Sequence, residues 1–297
     1  MPAMLNGKVA IVTGAGRGLG RSHALELARS GAQVVVNDFV APGGDNPADA
    51  VVHEIEAAGG TAIAHAGDVS SWDDAQAMVQ AAVDTWGQLD ILVNNAGILR
   101  DRILFNMSEE EWDAVIRVHL KGHFCPTRHA VEYWRTRAKA ADGPVYGRVV
   151  NTSSEAGVLG SAGQPNYATA KGGIIQLTLS TAQGMARYGV TANAIAPRAL
   201  TQMTESLDGF DATEGDFEVF APENVSPLVA YLASPAAEHV SGQVFVVWGR
   251  QISVLAGPTV DRQFQVDGCW TPEQVDAALT PFYAKRKPIR DGFLLRY

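Results

Sequence analysis

The chain has 297 residues, of which 46% are hydrophobic and 19% charged, a composition typical of one large folded domain. Its formal net charge of -9 disfavours nucleic acids and anionic membranes as partners, because both are bound by clustered basic side chains. Cys125 and Cys269 match no metal-binding spacing, so we expect neither a disulfide framework nor a bound metal. Without a recognisable signal peptide or membrane-spanning stretch, a cytoplasmic protein is expected.

Short β-rich runs alternate with helical patterns along the chain. The predicted strands span residues 9–12, 33–37, 61–65, 89–93, 148–152, 190–195 and 244–247. The predicted helices span residues 19–30, 51–58, a stretch from 71, 108–139 (with a kink expected at Pro126) and 165–188. This alternation predicts parallel βαβ units. We therefore expect an α/β fold with one doubly wound parallel sheet of about seven strands, flanked by helices.

Two regions depart from the alternation. Residues 200–220 are polar and acidic and follow the carboxyl end of a strand. Ligands bind at that edge of such sheets, so we interpret this segment as a lid over the substrate rather than a plain surface loop. The second region, residues 249–297, contains several aromatic side chains. We expect a domain over residues 1–248, with residues 249–297 forming a C-terminal extension packed on it or on a neighbouring subunit.

A glycine-rich turn, residues 13–20 (TGAGRGLG), connects the first predicted strand to the first helix. It matches the spacing G-x-x-x-G-x-G rather than G-x-G-x-x-G. Glycines let the backbone approach a pyrophosphate, and the helix N-terminus offers unpaired N–H groups to it. The turn therefore predicts a Rossmann-type dinucleotide site. Its expected cofactor contacts are Gly14, Arg17, Gly18, Leu19 and Gly20.

An acidic residue, Asp38, ends the second predicted strand. A carboxylate there can accept hydrogen bonds from both hydroxyls of the adenosine ribose and would repel a 2′-phosphate. Arg17 would instead favour NADP, because a cation in the glycine turn can neutralise that phosphate. Phe39 is not basic, so no second cation supports NADP. We therefore expect NAD rather than NADP as the cofactor.

Later strand ends supply further expected cofactor contacts. Asp68 can accept a hydrogen bond from the adenine amino group, and the small side chains after Asn94 let the backbone approach the cofactor. The expected contacts are Asp68, Val69, Asn95, Ala96 and Gly97. For Asn94 two interpretations remain, a cofactor contact and an amide that bridges adjacent strands.

Three side chains form the predicted catalytic group. Ser154 follows the fifth strand, and Tyr167 and Lys171 begin the next helix. Residues four apart share a helical face, so the phenol and the ammonium point together. Because a nearby positive charge favours a phenolate, Tyr167 can exchange a proton with an alcohol while Ser154 hydrogen-bonds its oxygen.

Over residues 7–248 the chain resembles the short-chain dehydrogenase/reductase family. The resemblance is carried by the order and spacing of the glycine turn, Asp68, residues 94–97, Ser154 and the Tyr167–Lys171 pair. The resemblance implies that Tyr167 is the acid/base, that Lys171 binds the nicotinamide ribose and tunes Tyr167, and that Ser154 orients the substrate. It also implies a homotetramer or homodimer.

Two departures from the family pattern concern the site. His119 stands where the family has an asparagine that completes a proton relay. Two interpretations remain: an imidazole that holds the relay water, and a buried structural histidine. The family's Pro-Gly after the sixth strand is Pro197-Arg198, and the loop after it is shorter, which leaves Thr201 as the expected contact to the nicotinamide carboxamide. Pro197 is a further expected cofactor contact.

These departures, with residues 95–102 (NAGILRDR), resemble one branch of the family. That branch includes the (3R)-hydroxyacyl-CoA dehydrogenase domain of peroxisomal multifunctional enzyme type 2, also called 17β-hydroxysteroid dehydrogenase type 4, and actinobacterial steroid-catabolism relatives. It implies oxidation of a 3-hydroxyacyl-CoA; the alternative substrate is a hydroxysteroid or another hydrophobic alcohol. The candidate contacts to CoA phosphates are Arg100, Arg102 and Arg198. A non-catalytic redox sensor, a function of another class, is disfavoured because all three catalytic side chains are present.

Overall fold

The computed structural model describes residues 4–200 and 213–286, and all structural statements refer to them. The strands in chain order are β1 (Val9–Thr13), β2 (Gln33–Asp38), β3 (Thr61–Ala66), β4 (Ile91–Asn94), β5 (Gly147–Thr152), β6 (Val190–Pro197), β7 (Thr213–Glu214), β8 (Phe217–Glu218), β9 (Val244–Trp248) and β10 (Gln251–Val254). The α-helices are α1 (Gly18–Arg29), α2 (Pro47–Ala57), α3 (Trp72–Trp86), α4 (Glu109–Val115), α5 (Gly122–Ala140), α6 (Ala156–Leu159), α7 (Pro165–Met185), α8 (Ser226–Leu232) and α9 (Pro272–Tyr283). None of the described helices is both long enough and apolar enough to cross a membrane.

The central sheet has eight strands in the order β10-β9-β6-β5-β4-β1-β2-β3. All neighbours in it pair in parallel except β10, which is antiparallel to β9. The direction of winding reverses between β1 and β4, and this reversal opens a crevice at the carboxyl ends of the strands. The predicted doubly wound α/β fold is confirmed.

The core lies on both faces of the sheet. One cluster packs β1 and β2 against α1, α2 and α8, with Leu27, Val51 and Leu232 at its centre. The other lies under α3, α5 and α7 and contains Met78 and Trp134. Strands covered on both faces are almost wholly apolar, which explains the apolar runs of β1 (residues 9–12) and β2 (residues 34–36).

The sheet continues beyond the last predicted strand. Gly249 has a φ of +49° and, with Arg250, forms a two-residue turn that pairs Gln251 with Trp248. The prediction stopped at Gly249, although the alternating residues 251–254 after a glycine turn are typical of a hairpin. The C-terminal extension therefore begins with an edge strand of the same sheet.

The predicted long helix is interrupted, but not at Pro126. A π-helical turn at Ile116–Lys121 separates α4 from α5, and Pro126 lies inside α5. Such wide turns inside a helix are frequent at functional sites, and this one contains His119. No local sequence signal distinguishes the π turn from regular helix.

The predicted lid, residues 200–220, lies mostly outside the described residues, as does Thr201. At its two described ends, the backbone N–H of Leu200 donates a 2.7 Å hydrogen bond to the carbonyl oxygen of Phe220. Residues 200 and 220, the two ends of this segment, therefore lie side by side.

Candidate active site

The glycine turn is held tightly against the loop that follows β4. A Cβ atom on Gly14, whose φ is +60°, would lie 2.7 Å from the Cα of Ala96. One on Gly20 would lie 2.1 Å from the carbonyl oxygen of Gly14. Gly20 therefore allows α1 to pack on the turn and does not itself line the cleft, unlike Gly14 and Gly18.

A cleft of about 680 Å³ runs along the carboxyl ends of the strands. The residues expected at the site that line it are Gly14, Arg17, Gly18, Leu19, Asp38, Asp68, Val69, Asn95, Ala96, Gly97, Ser154, Tyr167, Lys171 and Pro197. One end is formed by the glycine turn and the aspartates, and the other by Ser154 and Tyr167. The predicted cofactor and catalytic residues thus form about half of the residues that line the cleft.

The carboxylate of Asp38 joins the end of β2 to the glycine turn. Its Oδ2 accepts a 2.7 Å hydrogen bond from the N–H of Gly16, and its Oδ1 accepts one of 2.8 Å from Phe39. A Cβ on Gly16 would lie 2.7 Å from Oδ2, so only glycine allows this approach. A glycine cradle with a carboxylate beside it suits a dinucleotide, whose pyrophosphate and ribose need these two kinds of group.

Asp68 has two partners at the same end of the cleft. Its Oδ1 accepts hydrogen bonds from the N–H and the hydroxyl of Ser70, and its Oδ2 lies 2.7 Å from Arg117. Burial opposes ionisation of the carboxyl, but the Ser70 and Arg117 hydrogen bonds outweigh it and lower its pKa. Sequence reasoning missed Arg117, because nothing local links residues so distant in the chain.

The two asparagines after β4 have different surroundings. Asn94 is fully buried and donates to Thr127 at 2.9 Å and to Asn151 at 2.8 Å, so it bridges β4, β5 and α5. Asn95 donates to the carbonyl oxygens of Thr13 and Gly14 and lines the cleft. For Asn94, the geometry matches the bridging interpretation.

The three predicted catalytic side chains meet at the other end of the cleft. The Nζ of Lys171 lies 5.5 Å from the centre of the Tyr167 ring and donates a 2.6 Å hydrogen bond to the carbonyl oxygen of Thr152. Ser154 hydrogen-bonds the Tyr167 phenol. The hydroxyl of Ser153 donates to the carbonyl oxygen of Lys171 at 2.8 Å, which ties the strand end to α7.

Burial disfavours charge on both members of the Tyr167–Lys171 pair. It raises the pKa of Tyr167 to about 12, against the opposing effect of the Ser154 hydrogen bond, and it lowers the pKa of Lys171 to about 7. This direction is opposite to the one expected from the attraction between ammonium and phenolate. Desolvation is the larger effect in the protein alone.

His119 lies beneath the cleft rather than in its wall. It is fully buried, and its Nε2 lies 2.7 Å from the carbonyl oxygen and 3.0 Å from the nitrogen of Ile98. Its ring meets that of Tyr167 edge to face, with 5.2 Å between centres. Burial, with the charge of Lys171, lowers its pKa to about 3, so the imidazole is neutral. Its Nδ1 has no hydrogen-bond partner among the described residues, so the relay interpretation remains a proposal.

The candidate arginines differ in their surroundings. Arg100 lines the cleft, and its carbonyl oxygen accepts a hydrogen bond from Asn166, next to Tyr167. Arg102 forms an ion pair with Glu111, and Arg198 forms one with Glu155. Within the described ranges, Arg100 alone of these three makes no ion pair with a carboxylate.

A family model for short chain dehydrogenases matches residues 8–211. The chain is 54% identical over 292 residues to the Mycobacterium tuberculosis protein named hydroxyacyl-CoA dehydrogenase ChsB1, a match that covers 96% of this chain and 91% of that protein. It is 41% identical over 249 residues to peroxisomal multifunctional enzyme type 2 of Mus musculus. That match covers 81% of this chain but 32% of the mouse protein, so the similarity concerns one part of a longer enzyme.

The fold is similar to that of solved structures as well. The crystal structure of a short chain dehydrogenase from Mycobacterium avium superposes with a TM-score of 0.87 at 48% sequence identity. This match covers 97% of this chain and 98% of that one, so it includes the C-terminal extension as well as the sheet.

Proposed function

The chain belongs to the short-chain dehydrogenase family, and on that premise we propose that it oxidises (3R)-hydroxyacyl-CoA to 3-oxoacyl-CoA with NAD in fatty-acid or steroid side-chain β-oxidation. The observation that most directly supports the chemistry is the meeting of Ser154, Tyr167 and Lys171 at one end of the cleft. The similarity to the mycobacterial hydroxyacyl-CoA dehydrogenase supports the substrate.

In the proposed reaction, the hydroxyl of Ser154 hydrogen-bonds the substrate oxygen and stabilises the charge that develops on it. Tyr167 removes the hydroxyl proton, and the ammonium of Lys171 favours the phenolate that this requires. The bound nicotinamide ring supplies the hydride acceptor. His119 holds the Tyr167 ring and the backbone at Ile98 in place.

The preference for NAD rests on Asp38. Its carboxylate lies between the glycine turn and Phe39, and a 2′-phosphate placed there would meet a like charge. Arg17 also lines this end of the cleft and offers a cation. We propose that repulsion from Asp38 outweighs that attraction, because the backbone N–H groups of Gly16 and Phe39 hold the carboxylate at the glycine turn.

The CoA portion of the substrate would lie at the Tyr167 end of the cleft. Arg100 lines that end, and its charge is not paired with a described carboxylate. Arg198 is a weaker candidate for a phosphate contact, since Glu155 occupies its guanidinium on two sides and would repel an anion. We therefore assign Arg100 to a CoA phosphate.

The proposal is tested by initial rates of NADH formation with a series of (3R)-hydroxyacyl-CoAs, including steroid-linked ones, beside a free hydroxysteroid. Faster turnover of the thioesters supports it. Turnover of the free hydroxysteroid but of no thioester would show that the substrate is a hydrophobic alcohol and not an acyl-CoA. Binding of NAD without turnover of any alcohol would favour a redox sensor.

We also propose that the protein is a homotetramer or homodimer, as the family resemblance implies. Light scattering coupled to size-exclusion chromatography measures the mass directly, and a single species with the mass of one chain would contradict the proposal.

A further inference from the structure

A buried ion pair lies beside the catalytic serine. The Nε of Arg198 is 2.6 Å from Oε2 of Glu155, and its Nη2 is 2.7 Å from Oε1. The two side chains are 13% and 4% exposed, respectively. A two-pronged pair of this kind fixes the orientation of both groups and not only their separation.

The pair connects the ends of three neighbouring strands. Glu155 follows β5, Arg198 follows β6, and the guanidinium lies 3.9 Å from the centre of the ring of Trp248, the last residue of β9. The N–H of Arg198 also donates to the carbonyl oxygen of Val247 at 3.0 Å. The guanidinium is therefore held by Glu155 on its edge and packed on the ring of Trp248, while the backbone of Arg198 is bonded to β9.

Ser154 lies in the segment that this pair holds. On its N-terminal side, the hydroxyl of Ser153 is bonded to the backbone of Lys171. On its C-terminal side, Glu155 is bonded to Arg198. The serine is thus fixed between the helix that carries Tyr167 and the end of β6.

We propose that Glu155 and Arg198 are a positioning pair for Ser154, which sets the direction of its hydroxyl toward the substrate oxygen and the phenol of Tyr167. This inference rests on the proposed catalytic role of Ser154. It also explains why Arg198 differs from the glycine that the family has at this position, because a glycine has no side chain that could hold the segment around Ser154.

A double-mutant cycle tests the proposal, with whichever alcohol the enzyme oxidises fastest. Arg198→Lys keeps the charge but loses the paired contact, and Glu155→Gln keeps the shape but loses the carboxylate. We expect each to lower kcat by about tenfold to a hundredfold, with the Kd for NAD nearly unchanged. In a Ser154→Ala background, neither should slow the reaction further, because the group that they position is gone.

Arg128→Lys is the matched control, because Arg128 also pairs with a glutamate, Glu132, and lies 4.9 Å from the centre of a tryptophan ring, that of Trp72, but outside the cleft. It should leave kcat unchanged. If the effects of Arg198→Lys and Ser154→Ala multiply, or if the pair variants lower only the melting temperature, the positioning role is wrong. If Ser154→Ala alone leaves the rate unchanged, the proposed role of Ser154 itself is wrong. Should Arg198→Lys fail to fold, Glu155→Gln supplies the same cycle.

Discussion

The ammonium nitrogen of Lys171 lies 5.5 Å from the centre of the Tyr167 ring, and its own hydrogen bond goes to the backbone of Thr152. Lys171 lies on the same helix as Tyr167, one turn further along, and its hydrogen bond ties that helix to the end of the strand that leads to Ser154. This relationship joins the three proposed catalytic side chains without a direct hydrogen bond between Lys171 and Tyr167 among the described contacts.

The rate of alcohol oxidation should rise with pH. Burial places the pKa of Tyr167 at about 12 and that of Lys171 at about 7, and such a close pair releases its protons as a unit. Oxidation needs the pair to have lost one proton, and the first proton leaves near pH 7, so kcat/KM should rise by up to about tenfold per pH unit below about pH 7 and level off above it. Ketone reduction should show the opposite trend. A flat pH profile for oxidation, with chemistry rate-limiting, would contradict this assignment.

Exchanging Asp38 for asparagine should change the cofactor preference. The amide oxygen can still accept the hydrogen bond from the N–H of Gly16, so the glycine turn is kept, but the charge that repels a 2′-phosphate is lost. The ratio of kcat/KM for NADP to that for NAD should increase by about tenfold or more. Adding Phe39→Arg should increase it further. An unchanged ratio would place the discrimination elsewhere, with Arg17 the first residue to examine.

Replacing Arg100 with glutamine should weaken the binding of CoA substrates specifically. Loss of one charged phosphate contact should raise KM for a hydroxyacyl-CoA about tenfold. KM for the same acyl group on a pantetheine thioester, which lacks the nucleotide phosphates, should not change. Arg128→Gln serves as the surface control. Equal changes in KM for both thioesters would exclude a phosphate contact.

The protein should lose stability in mild acid. His23, His119 and His123 are buried and neutral; burial lowers the pKa of His23 and His119 to about 3 and that of His123 well below its usual value. Unfolding lets each bind a proton near its ordinary pKa of about 6.5, so each reduces the free energy of unfolding by about 1.4 kcal/mol per pH unit below that value. Their stabilising contribution is complete above about pH 6.5 and declines as the pH falls toward the folded-state pKa.

Urea unfolding at a series of pH values between about 5.5 and 7.5 measures this slope. His23→Asn should reduce the slope by one proton, because it removes one of the three buried neutral imidazoles. His23 lies on α1, with its Nδ1 2.8 Å from the hydroxyl of Ser226 on α8, and is far in sequence from the proposed catalytic side chains. A free energy of unfolding that does not vary over this range would show that the three histidines are not neutral in the folded protein.

Much of the fold and of the family assignment could be predicted from the sequence. The glycine turn, Ser154 and the Tyr167–Lys171 spacing are local patterns whose chemistry requires those residue types, and the family and the hydroxyacyl-CoA branch are confirmed by the comparisons. The roles of the individual site residues stay predictions.

What the sequence did not predict depends on contacts between distant segments. Arg117 reaches Asp68 and Arg198 reaches Glu155 only because the strand order brings their segments together. The raised pKa of Tyr167 likewise depends on burial of the phenol, which the spacing of residues in the sequence does not reveal. Strand β10 differs from these cases, because the alternation of polar and apolar residues over 251–254 is a local pattern that is visible in the sequence.

The central claim, that Tyr167 is the acid/base of an NAD-dependent hydroxyacyl-CoA dehydrogenase, is tested most directly by the rate of NADH formation from a (3R)-hydroxyacyl-CoA with the native enzyme and with Tyr167→Phe. The variant keeps the ring that packs against His119 and loses only the phenol oxygen. We expect turnover by the native enzyme and a rate lower by about a hundredfold or more in the variant, with the Kd for NAD unchanged. Equal rates for the two proteins would contradict it.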